Sequence, residues 1–221
     1  MKFTGVMILG VVLLVSSAVY TECVHTEVKR SKSFFTPGYA AECIGRQIFK
    51  DFQLGFLYLR NHDDELPINI NQQYVKDTKE NNMWLVPDMD LRIAEPTEVI
   101  DTSNFNHAEH KLLSHLTAMG TAFMNSHNKC PESVILGTVL YPCNKAKNVG
   151  CGVDYVNQKN IFKTKCPDTQ FSVYISGPNT IEFFESIWYK HTKPLMGNNQ
   201  ITIYHKGDKP LVPLDATACK P

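Results

Sequence analysis

The sequence has no Asn-x-Ser/Thr sequon, no internal repeat, no low-complexity tract and no long Gly/Ser linker. A repeat array or a string of tethered modules is therefore excluded, and glycosylation says nothing about the surface. Net charge is also lacking: 22 Lys and Arg offset 22 Asp and Glu. This argues against a strongly cationic coat for nucleic acid, although a local basic groove would escape the test. Beyond the first residues there is no run of about 18 apolar residues, so nothing further along asks for a membrane.

What is present begins with Met1-Lys2, an apolar run from Gly5 to Val15, and the small residues Ser16-Ser17-Ala18. That order is the layout of a cleavable signal peptide, residues 1–18, and the run is too short to span a bilayer with ease. The expectation is a secreted, extracellular protein whose remaining residues, 19–221, form one domain with its own hydrophobic core. All seven cysteines, Cys23, Cys43, Cys130, Cys143, Cys151, Cys166 and Cys219, lie after the cleavage point. In an oxidising compartment disulfides are expected, and the odd count leaves one thiol over. The pairing among Cys23, Cys43, Cys130, Cys166 and Cys219 is not fixed by sequence.

Apolar spacing predicts a first helix over Ala40 to Arg60, through Ile44, Ile48, Phe52, Phe56 and Leu59. Gln73 to Lys76 and Met83 to Val86 have strand character, broken by Pro87 and Pro96. From His107 a second helix carries Ala108, Leu112, Leu113, Leu116, Met119 and Phe123 at spacings of three and four, with Asn104 or Asn106 as N-cap. Ser133 to Leu140 is a nearly continuous apolar run, as in a central strand buried on both faces. It ends at Tyr141-Pro142-Cys143. Cys151 to Lys163 and Thr180 to Tyr189 read as helices, Phe171 to Ile175 and Ile201 to Tyr204 as strands. Strand, helix, strand at the end favours parallel pairing through a crossover helix. The fold class is α/β, one sheet covered by helices.

Chemistry concentrates in His107-Ala108-Glu109 at a helix start and in Pro142-Cys143 with Cys151 soon after. Zinc accepts imidazole and thiolate ligands, and a catalytic zinc keeps its fourth position for water. His107, Cys143 and Cys151 supply three ligands of those types. Glu109, two residues past the histidine, is not itself a ligand and is placed to take and return protons.

The order His-x-Glu, then Pro-Cys, then Cys resembles the signature of zinc deaminases. On these residues the chain resembles the cytidine-deaminase-like superfamily, and with its signal peptide the secreted AID/APOBEC-like deaminases. The resemblance implies a three-layer α-β-α fold with a five-stranded mixed sheet and a crossover helix before the last strand. It makes His107, Cys143 and Cys151 the Zn2+ ligands and Glu109 the catalytic acid/base. It also implies hydrolytic deamination, cytosine to uracil, in single-stranded nucleic acid or free (deoxy)cytidine, with a part in innate immune defence. One departure is plain. The family has two to four residues between its cysteines, whereas Asn144 to Gly150 separate these two, so that stretch must loop out; in one regular helix the thiolates would lie over two turns apart. Gly150 and Gly152 beside Cys151 suit such a turn.

Each motif alone is weak, and a Cys143 to Cys151 disulfide closing a small loop is the competing reading, within a disulfide-stapled binding protein that performs no chemistry. His107 with His110 is a second metal pairing, set aside because His110 and His115 suit surface or core roles. Tyr141 and Trp188-Tyr189 have aromatic faces that suit a base, or ordinary core packing. Lys190, His191, Lys193, His205, Lys206 and Lys209 form a basic neighbourhood for phosphates, or solvated surface.

Overall fold

The computed structural model describes residues 37–49, 54–61, 75–76, 82–86, 90–96, 107–139, 142–143, 150–177 and 187–206. The expected signal segment 1–18 lies outside them, as do Cys23, Cys219, Asn104, Asn106, Tyr141, Lys209 and residues 144–149.

Helix α1, Pro37–Ile48, buries Ala40, Ala41, Ile44 and Ile48 along one stripe. The helix read from Ala40 to Arg60 holds only for its first half. Gly55–Arg60 is strand β1, buried at every position. Phe56 and Leu59 are three apart, which mimics a helical face, but Leu57 and Tyr58 fill the gap between them. The true period is two: Phe56 and Tyr58 point to one face, Leu57 and Leu59 to the other.

Strands β2, Val75–Lys76, and β3, Met83–Val86, follow where strand character was read, and β4, Leu91–Ala94, is an addition. The single helix read from His107 is two: α2, Ala108–Ser114, and α3, Leu116–His127, joined at His115. Its N-cap position is His107 itself, in extended conformation with no side-chain cap. Then come β5, Ser133–Thr138; α4, Cys151–Lys163; β6, Gln170–Ile175; α5, Ile187–Asn198; and β7, Ile201–His205. Of the helix read over Thr180 to Tyr189, residues 180–186 lie outside the description; 187–189 are helical as expected, and α5 continues to Asn198.

The strands form one mixed sheet in the order β2-β3-β4-β1-β5-β6-β7. It therefore exceeds the expected five strands: six are of four to six residues, with two-residue β2 at one edge. β1 is antiparallel to β4 and β5, whereas β5, β6 and β7 run parallel, with α4 and α5 as the crossovers between them. The parallel ending read from the sequence is present. α1 packs on the face carrying Phe56, Tyr58, Ile135 and Tyr174. The other face, with Leu57, Leu59, Val134, Leu136, Val173 and Ile175, is covered from α2, α3 and α4 and by Met196 of α5. Each fully buried aliphatic or aromatic side chain contributes about 2 kcal/mol, so the two clusters dominate the stability of these layers.

One glycine in this sheet is irreplaceable. Phe56 pairs with Gly137 across β1 and β5, and a Cβ at 137 would come 1.9 Å from the Phe56 ring. Any side chain there displaces the phenyl group that fills the α1 face.

Cys130–Cys166 is a disulfide, joining the end of α3 to the end of α4. Cys43 is also disulfide-bonded. No helix among the described residues is long and apolar enough to cross a membrane.

Candidate metal centre

Three chain segments meet at the sheet end where β5 finishes. His107 sits at the N-cap of α2, Cys143 five residues beyond β5, and Cys151 opens α4. The His107 Nδ1 lies 3.4 Å from the Cys151 Sγ and 3.6 Å from the Cys143 Sγ, and the two sulfurs are 3.6 Å apart. Zinc bonds of about 2.3 Å to sulfur and about 2.1 Å to nitrogen, opened to about 109°, require about 3.8 Å between sulfurs and about 3.6 Å between sulfur and nitrogen. The observed triangle matches those edges to about 0.2 Å. These three residues can hold a metal ion, and they make up the group found among the described residues.

A disulfide between Cys143 and Cys151 is not what the structure contains: both are free, at a separation far beyond the ~2.05 Å of an S–S bond. The backbone explains how the widened spacing closes. The Cys151 N–H donates to the Cys143 Sγ at 3.4 Å, and the Gly152 N–H donates to the Cys143 carbonyl at 3.0 Å, so Cys143 lies against the first turn of α4. Residues 144–149 lie outside the description, and the helix begins only at Cys151. Gly150 and Gly152 do not supply unusual backbone angles. Gly150 is extended, with φ −64°, which any residue adopts. Gly152 stands close to α5: a Cβ there would meet the Met196 Cε at 3.3 Å and the Leu195 Cδ2 at 3.4 Å, a tight contact that the Met196 tip would have to relieve. α5 also holds the segment from behind, since the buried Thr192 hydroxyl donates to the Pro142 carbonyl at 2.8 Å.

The electrostatics favour a thiolate. Cys143 is held well below the ordinary thiol range, first by the hydrogen bond from the Cys151 thiol, then by His107 and by the Cys151 N–H, with burial opposing them. Cys151 is pushed up, first by keeping the proton it shares with Cys143, then by burial and by the charges of Glu109, Cys143 and Asp154. The pair thus holds one proton, and a cation arriving at the cluster displaces it. The positive end of α4 adds to the preference for anionic sulfur.

Glu109, in the first turn of α2, accepts a hydrogen bond of 2.7 Å from the Thr138 hydroxyl, on its Oε1. Thr138 is buried at the end of β5. This partner was not read from the sequence, although a polar residue closing an otherwise apolar strand just before Pro-Cys was the signal. His110 is not a ligand: its Nδ1 lies 3.0 Å from the Asp154 Oδ2, in a half-exposed bridge between α2 and α4. Lys190, His191 and Lys193 are on α5 and Lys206 just follows β7, all exposed. An apolar groove lined by Gly120, Met124, Ile161, Phe162 and Cys166 lies toward the far end of α4, about 15 Å along the helix from Cys151.

Comparison of the chain with family models, curated proteins and solved structures finds no match in any of the three.

Proposed function

We propose that the chain is a secreted zinc-dependent hydrolytic deaminase acting on a nucleobase, with His107, Cys143 and Cys151 as the ligands and Glu109 as the acid/base. One observation carries the reading: a His/Cys/Cys triangle with tetrahedral edges stands near the start of the helix that bears a carboxylate outside the ligand set. Three protein ligands are the pattern of a catalytic rather than a structural zinc. A zinc ion there supplies one thing, water made acidic enough to ionise near neutral pH.

The remaining work falls to the chain. Glu109 takes a proton from the attacking water and returns protons to the ring nitrogen and the departing amine. Thr138 holds one carboxylate oxygen, which leaves the other for that traffic. Water adds to the amine-bearing carbon, C4 of cytosine or less favourably C6 of adenine, and the amine leaves as ammonia. Cytosine, a single-stranded or nucleoside substrate, and a defence role rest on the resemblance of the His-x-Glu and Pro-Cys segments. Secretion rests on the signal-like start and is consistent with the Cys130–Cys166 disulfide.

The test is zinc content together with ammonia release from cytidine and from single-stranded oligonucleotides, for the wild type and Glu109→Gln. The reading requires about one zinc per chain in both, with deamination in the wild type alone. Equal activity in Glu109→Gln would remove Glu109 as the acid/base and sink the mechanism; zinc with no activity on any nucleobase would leave the binding-protein reading.

A further inference from the structure

We propose that Cys143 and Cys151 are also a modification site with two exclusive states: a pair of metal ligands, or an intramolecular disulfide formed by a small peroxide. The inference rests on the metal reading above and not on deamination. Its basis is geometric. The two sulfurs stand 3.6 Å apart without a bond, in a chain that carries oxidised cysteines elsewhere. Closing to about 2.05 Å needs a shift of about 1.5 Å. The loop closure that normally opposes such a bond is already complete, because the Gly152 N–H to Cys143 carbonyl bond holds the two segments side by side.

An ion between the sulfurs occupies their lone pairs and blocks that approach, whereas the metal-free pair has nothing between them. Both residues are buried, Cys143 less deeply than Cys151, and we take the Cys143 sulfur as the one attacked first. The Cys143 thiolate attacks one peroxide oxygen, the O–O bond breaks, and the departing hydroxide takes a proton from solvent to become water. This leaves a sulfenic acid on Cys143. The Cys151 thiol then gives up its proton and attacks the Cys143 sulfur, and the S–O bond breaks as hydroxide leaves, taking that proton to form a second water. Two electrons pass from the dithiol to the peroxide, and the disulfide excludes the metal until a reductant reopens it.

The experiment uses the full chain, one portion stripped of metal by a chelator and one loaded with zinc, each exposed to hydrogen peroxide and then mapped by alkylation and peptide mass. The stripped protein should yield a linked Cys143–Cys151 peptide and take up no zinc until treated with dithiothreitol. The loaded protein should form that peptide about tenfold more slowly or less. The readouts are the linked peptide and zinc uptake, not ammonia release, so loss of the deaminase reading leaves this test standing. Thiols that stay alkylatable in the stripped protein, or over-oxidation of Cys143 with no linked peptide, overturn the proposal. Equal rates in both portions, or a chain that links the two cysteines and never holds zinc, overturn the exclusivity and leave a plain staple.

Discussion

The two ends of α4 carry cysteine pairs in opposite chemical states. At its far end Cys166 is bonded to Cys130, which precedes β5; at its first residue Cys151 faces Cys143, which follows β5, with both thiols free. The two pairs tie the same helix to the two ends of the same strand. Their company separates them. The Cys166 sulfur lies near the Met124 thioether, at 3.5 Å, among apolar groups of α3 and α4, and among the described residues no His, Asp or Glu joins that pair in a metal-binding group. The Cys151 sulfur meets an imidazole nitrogen, and the Cys151 N–H, at the positive end of a helix, donates to the Cys143 sulfur. The bonded pair and the free pair thus differ in their third neighbour and in the helix end on which they sit.

The sharpest way to break this comparison is to remove the third neighbour. His107→Ala should take zinc content and deamination to background, while Cys130–Cys166 stays intact by thiol mapping; retained zinc would mean that the imidazole is not what distinguishes the pairs. Removing the staple should do the reverse. Cys130→Ala with Cys166→Ala opens a link across 36 residues and should cost about 4 kcal/mol in urea unfolding. Zinc should remain at about one per chain. A smaller effect is expected at Thr138. Thr138→Val should lower kcat about tenfold, equivalent to about 1.4 kcal/mol of barrier, with zinc unchanged and Thr138→Ser recovering most of the rate. A valine variant as fast as the wild type would show that Glu109 needs no such partner. Least affected should be His110→Ala, since that bridge to Asp154 is half-exposed: about 0.5 kcal/mol in stability and no change in zinc.

The candidate metal group was legible because such chemistry is tied to residue type: His107, Cys143 and Cys151 stand out by kind, and the buried strand leading to Pro-Cys supplied their order. α4 and β3 were legible to the residue, and β6 and β7 to within one residue at an end. β1 was not, because Phe56 and Leu59 satisfy a helical spacing by accident, and only the sheet decides between periods of 2 and 3.6 in a fully apolar run. β4 is four residues long and carries Arg92, too short to show alternation. The continuation of α5 beyond Tyr189 was not legible because Pro194 lies inside it, a residue that removes one helical hydrogen bond and normally argues against a helix. The Thr138 to Glu109 bond spans 29 residues and belongs to tertiary structure alone.

The contact from Thr192 to the Pro142 carbonyl makes the candidate metal group depend on the last part of the chain to be synthesised. His107, Cys143 and Cys151 leave the ribosome well before Thr192, so all three are present before the hydrogen bond that holds the Pro-Cys segment can form. On the proposed reading, a chain truncated before α5 should carry all three ligands and bind zinc more weakly than the full chain.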